Sequence, residues 1–179
     1  MHSTLSLPLP PNLNLIPFVN HKSHMKLCFL RHGEADWPNW DKPDDERPLT
    51  ERGRKEMKRV VKFLERLKFS ADAILTSPLP RASQTAEIVS KCLGIELKTD
   101  PALAHGFNVE RLRRLLGKAE ADCVMVVGHE PAFSEVIKEL TGGEIKLSKA
   151  GVALLEVNRG CTSGKLLWLF PPKFSKAAS

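Results

Sequence analysis

Residues 26–37 read KLCFLRHGEADW. An apolar run, Leu27-Cys28-Phe29-Leu30, stops abruptly at Arg31-His32-Gly33. The run has the length of a buried strand bounded by a loop. A strand built to be buried that ends in a cation and an imidazole carries reactive groups to the rim of its sheet.

Outward from this stretch, strands and helices alternate. A polar loop, ADWPNWDKPDDERP (35–48), follows. Thr50 is suited to cap a helix whose apolar stripe is Met57, Val60, Val61, Leu64 and Leu67, close to the helical period. AILTS (73–77) reads as a second buried strand, and residues 81–93 as a helix stopped by Gly94. Ile95–Leu97 is expected to form a short strand. Asn108 opens a further helix with Val109, Leu112, Leu115 and Leu116 facing inward. CVMVV (123–127) is a third buried strand running into Gly128-His129, and Pro131 suits the first turn of the next helix. VALLEV and KLLWLF, joined by NRGCTSG, form the expected edge hairpin. The alternation predicts an α/β domain with a mostly parallel central sheet. Such sheets bind ligands beyond the carboxyl ends of their strands. Three predicted strands end there in polar residues: Arg31-His32, Ser77 to Arg81, and His129.

With 179 residues and 42 % hydrophobic content, the chain fits one domain with a proper core, expected over residues 25–172. Residues 173–179 are read as a flexible tail. Residues 1–24 are rich in Pro, Asn and Leu and carry one lysine, Lys22, and no acid. They suit neither a secretory signal nor a transit peptide. They are read as a disordered leader or an extension from an upstream start, with Met25 just before the first strand. The formal charge of +6 favours anionic partners such as phosphates or acidic protein faces. Bases alternate with acids in TERGRKEMKRVVKFLERLK as on a solvated helix face, which argues against nucleic acid. No segment approaches the ~20 apolar residues of a membrane span. Cys28, Cys92, Cys123 and Cys161 are far apart, with no metal-ligand spacing. A reduced, cytoplasmic, monomeric protein without metal or cofactor is the expectation.

Two arginines and two histidines at strand ends make a pocket for a doubly charged oxyanion. A guanidinium grips two phosphoryl oxygens in a fork. One imidazole can then attack phosphorus while the other donates to an equatorial oxygen. Attack requires a neutral ring, which flanking arginines favour. A backbone carbonyl on the second nitrogen would fix the tautomer. Gly33 is expected to let the chain turn away and leave room for the phosphate.

LRHGEA, RPLTERG, TSPLPRASQTAEIV and VMVVGHEP together resemble, in order and spacing, the motifs of the histidine phosphatase superfamily, which has the phosphoglycerate-mutase-like fold. The resemblance covers residues 25–172. It implies a three-layer α/β/α sandwich, with His32 as the phosphorylated nucleophile, Arg31 and Arg81 as phosphoryl ligands, and His129 stabilising the transferred charge. It implies no metal. Only 47 residues separate Arg81 from His129, too few for the helical cap of larger members. The compact layout is similar to the SixA-type phosphohistidine phosphatases, whose substrate class is a phosphorylated histidine on a phosphorelay protein such as a histidine phosphotransfer domain.

Many members carry a proton-donating glutamate in a Leu-x-Glu element, where this chain has Leu103-Ala104-His105. An alkoxide leaving group needs an acid; an imidazole, with a pKa of about 6.5, does not. The missing glutamate is thus consistent with an N–P substrate. His105 and Glu34 are the candidate proton donors, though a solvated loop histidine and a loop-organising acid are the plainer readings. Ser77 is a candidate phosphate ligand, or organises the turn near Arg81. The alternatives are a phosphatase for small metabolites or aryl phosphates, and a non-catalytic module that binds phosphoproteins.

Overall fold

The computed structural model describes residues 23–117 and 120–177. The expected leader lies outside these residues apart from Ser23 and His24. The chain forms a six-stranded sheet from β1 (His24–Arg31), β2 (Ala73–Thr76), β3 (Leu97–Thr99), β4 (Cys123–Gly128), β5 (Val152–Asn158) and β6 (Gly164–Phe170). Their spatial order is β3-β2-β4-β1-β5-β6. The pairs β3–β2, β2–β4 and β4–β1 are parallel, whereas β5 runs antiparallel to both β1 and β6. The sheet is therefore mostly parallel, with the expected hairpin at one edge.

Four helices cover its faces: α1 (Glu51–Arg66), α2 (Pro80–Leu93), α3 (Val109–Leu116) and α4 (Ala132–Thr141). The two-residue period of β1 decides which meets which. Leu27 and Phe29 join the core formed with Leu112 of α3 and Phe133 and Ile137 of α4. Cys28 and Leu30 join Met57, Val60 and Val61 of α1 and Ala82, Ala86 and Val89 of α2. A central parallel strand is covered on both sides, so its sequence is continuously apolar. The result is a three-layer α/β/α sandwich.

Local chemistry sets the boundaries. Thr50 Oγ1 accepts from Gly53 N at 3.0 Å and caps α1. Gly94, at φ +67°, ends α2, and Asn108 caps α3 by accepting from Arg111 N. The short strand lies at Leu97–Thr99 rather than at Ile95–Leu97. Ser90 of α2 donates to the Ile95 carbonyl at 2.6 Å, so pairing with β2 starts only at Leu97. Pro131 lies just outside α4 instead of within its first turn. The first strand begins at His24, so Met25 lies inside it. The expected tail contains a short helix, α5 (Phe174–Ala177), set against α1, with Ser175 buried. Among the described residues, no helix is long and apolar enough to cross a membrane.

Candidate active site

The strands β2, β4 and β1 lie side by side, and their carboxyl ends come level. Arg31 pairs with Gly128, and Thr76 with Val127. The ladder runs on beyond the strands: His32 N donates to Gly128 O and Ser77 N to Val127 O, each at 3.1 Å. This register gathers His32, Ser77 and His129 at one edge. Arg81 joins them from the first turn of α2.

His32 is 7 % exposed. Its Nδ1 lies 2.8 Å from the Gly33 carbonyl. A carbonyl only accepts, so Nδ1 carries the proton and Nε2 holds a free lone pair. Burial, opposed by the carbonyl contact and reinforced by Arg81, Arg31 and Lys149, lowers the His32 pKa to about 4. The ring is thus neutral at physiological pH. Ala150 N donates to the His32 carbonyl at 3.0 Å and fixes the residue from below.

The His129 ring lies 5.2 Å from that of His32, centroid to centroid. Burial first, then His32, Arg81 and His105, lowers its pKa to about 3. Its Nε2 is 2.9 Å from Ser77 Oγ. Ser77 Oγ also accepts from Leu79 N at 3.2 Å, so one hydroxyl ties the turn before Arg81 to the His129 ring. His129 Nδ1 is a buried atom with no partner among the described residues. The fully buried Ser77 hydroxyl thus organises the turn near Arg81, as the plainer reading has it, and also holds His129.

Arg31 donates from Nη1 to Leu147 O at 2.9 Å, and its buried Nε has no partner among the described residues. Arg81, 7 % exposed, is engaged by the loop between β1 and α1. Its Nη1 donates to Asp44 O at 2.8 Å, and its Nη2 lies 3.2 Å from Asp44 Oδ2. Burial lowers both arginine pKa values, with Asp44 opposing at Arg81 and Glu130 at Arg31. Arg47 pairs with Asp44 at 2.6 Å, which brings a third guanidinium to this rim.

Glu34 is drawn into the start of α1. Its Oε1 accepts from Thr50 Oγ1 at 3.1 Å, and Arg52 Nε stands 3.1 Å from its Oε2. That is the role of a loop-organising acid. Glu130 is bonded to Ser134 in the first turn of α4, and burial raises its pKa. His105 stands across the rim, with Nε2 at 2.9 Å from both carboxylate oxygens of Asp45. Gly33 does not open space for a phosphate: a Cβ there would lie 3.0 Å from Met57 Cγ and 3.2 Å from Leu49 Cδ2. Its glycine lets α1 pack against the nucleophile loop, while Thr85 Oγ1 accepts from Gly33 N and donates to Arg81 O. Among the described residues, no three His, Cys, Asp or Glu side chains gather as a metal site.

Sequence reasoning thus found the four central side chains and missed the acids and Arg47 of the loop. Lys149 is ion-paired with Asp36 at the same rim. Trp37 and Trp40 brace the loop by donating to Pro48 O and Pro43 O.

Comparison with known proteins agrees with this geometry. The sequence profile of the histidine phosphatase superfamily (branch 1) matches residues 27–106. Phosphohistidine phosphatase SixA of Escherichia coli (strain K12) is 30 % identical over 126 residues, covering 67 % of this chain and 76 % of that protein. The chain belongs to the histidine phosphatase superfamily. An uncharacterised protein of Picosynechococcus is 35 % identical over 163 residues, covering 84 % of this chain and 98 % of its own. A solved structure of the protein histidine phosphatase SixA with tungstate superposes with a TM-score of 0.73 at 26 % identity, covering 84 % of this chain and 99 % of that one. The protein is thus a SixA-like phosphatase of this superfamily. Between Arg81 and His129 the described residues complete α2 and form β3, α3 and β4, and they build no cap.

Proposed function

We propose that the protein is a phosphohistidine phosphatase that works through a covalent intermediate on His32. The observation that carries this reading is the Nδ1–H contact of His32 to the Gly33 carbonyl, which leaves Nε2 as a neutral, buried nucleophile between two guanidinium groups. In the first step Nε2 attacks phosphorus and the bond to the leaving group breaks. Arg31 and Arg81 neutralise the equatorial oxygens, and the His129 imidazole donates to one of them. Water then attacks the phosphohistidine, the N–P bond breaks, and phosphate leaves.

An uncapped edge suits a phosphohistidine displayed on a folded protein such as a histidine phosphotransfer domain. The SixA relatives support the same class, and tungstate in one of them is a tetrahedral oxyanion. An imidazole leaving group also makes the weakest demand on a proton donor. The test is turnover of a phosphorylated histidine-relay domain beside a panel of sugar and aryl phosphates. The reading expects kcat/KM for the relay domain to exceed the panel by at least an order of magnitude. A preference for a sugar phosphate would overturn it. Free cysteines fit a reducing compartment such as the cytoplasm.

A further inference from the structure

The turn of residues 147–151 wraps the Arg31-His32 pair from below. Ala150 N donates to the His32 carbonyl at 3.0 Å, and Arg31 N donates to the Gly151 carbonyl at 3.1 Å. Arg31 Nη1 donates to the Leu147 carbonyl at 2.9 Å. The turn also closes on itself, with Gly151 N donating to Ser148 O at 2.8 Å. A Cβ on Gly151 would stand 2.7 Å from that oxygen, so this closure requires glycine. Leu147 and Ala150 are fully buried, whereas the Lys149 side chain is 35 % exposed. Ala150 stands at φ +56°, in the left-handed region that a residue with a Cβ adopts rarely. Such strain persists where the surroundings hold it, and it gathers at functional sites. Here it falls between a lysine and the backbone contact of the nucleophile.

Lys149 reaches Asp36, on the loop after the nucleophile, and forms an ion pair with it. The pair joins the turn below His32 to the loop that follows His32. Both of its charges are felt by the central residues. That of Lys149 acts on the His32 ring, after those of Arg81 and Arg31. That of Asp36 acts on His32 and on Arg31. The Asp36 side chain is 56 % exposed, and ion pairs open to water hold weakly.

We propose that Lys149 is a further ligand of the phosphoryl group, an ammonium that rests on Asp36 and passes to a phosphoryl oxygen when substrate enters. The inference rests on the His32 reading above and adds a residue to its binding site. A phosphoryl dianion beside His32 carries twice the charge of the Asp36 carboxylate, so the ammonium gains by exchanging one anion for the other. A lysine suits this exchange: its three donors sit on a flexible stem that changes partner without moving the buried turn. The contact persists in the phosphoenzyme, where Lys149 holds the phosphate on His32 while the leaving group departs and water enters.

Calorimetric titration with inorganic phosphate at pH 7 tests this without turnover. Lys149→Met is expected to weaken binding about tenfold or more, the effect of losing a hydrogen bond between charged groups. Lys149→Arg is expected to recover most of that loss. Asp36→Asn separates a ligand from a staple. With the ammonium freed, phosphate is expected to bind Asp36→Asn at least as tightly as the parent protein. A pair that only fastens the turn to the loop would make Asp36→Asn and Lys149→Met lose affinity equally. That result overturns the proposal, as does unchanged binding in Lys149→Met. Urea midpoints identify a variant that has not folded, and Lys149→Gln then replaces Lys149→Met. Phosphate trapped on His32 in the parent protein is read separately, so failure of the Lys149 role and failure of the nucleophile role are distinct results.

Discussion

His32 meets two demands that conflict in water: it must stay unprotonated, and it must lie beside a dianion. Burial supplies the first and the two arginines the second, and both act in the same direction on the ring. The arrangement has a consequence for stability. A histidine whose folded pKa of about 4 lies below its unfolded value of about 6.5 binds fewer protons folded than unfolded between those limits. Stability therefore rises with pH across that window and is lost as pH falls from about 6.5 towards 4. His32 alone contributes on the order of 3 kcal/mol to this loss, and His129 acts in the same sense. Urea midpoints at pH 7 and pH 4.5 are expected to fall less in His32→Asn than in the parent protein. An equal fall in both would mean that the ring is not buried uncharged. At this scale the sequence was informative. Arg31, His32, Arg81 and His129 were legible because each stands at a strand end or first helical turn where nothing apolar is needed. The contact of Ser77 with His129 was not legible, because a hydroxyl that orients a histidine and one that binds phosphate look alike in sequence.

The element that decides access is the loop of residues 35–48. Its Asp44 lies on Arg81 as a phosphate would, with a carbonyl and a carboxylate oxygen against the guanidinium. A phosphoryl group has to displace that contact to reach Arg81. Asp44→Ala is accordingly expected to lower the inhibition constant of inorganic phosphate or vanadate several-fold, measured by competition against 2,4-dinitrophenyl phosphate. A weaker inhibitor in the variant would show that Asp44 supports the site rather than competing for it. Helix α1 holds the other end of this loop. Thr50 N donates to Glu34 O at 3.0 Å, and a Cβ on Gly53 would stand 2.2 Å from that oxygen. Overpacking against backbone costs about 1–3 kcal/mol. Gly53→Ala is expected to lower the thermal midpoint and also kcat, because the displaced Glu34 segment follows the nucleophile directly. An unchanged midpoint would contradict the packing described. None of this was legible in ADWPNWDKPDDERP. Its acids look like a solvated loop because their partners, Arg81 and His105, lie 37 and 60 residues away.

For the molecule as a whole, the layers were readable because β1 and β4 are buried on both faces, β2 is buried on one and half-buried on the other, and the helices between them keep a clear apolar stripe. The shift of β3 was not, since a single Ser90 hydroxyl on the Ile95 carbonyl decides where pairing begins. The sandwich brings three strand ends level, and the chemistry follows from that register. The central claim is that phosphate passes through His32. Brief reaction with a phosphorylated histidine-relay domain or 2,4-dinitrophenyl phosphate, an alkaline quench and peptide mass spectrometry test it directly. The account predicts one acid-labile phosphate on His32, absent from His32→Ala. Turnover with no phosphoenzyme, or phosphate on any other residue, would contradict it.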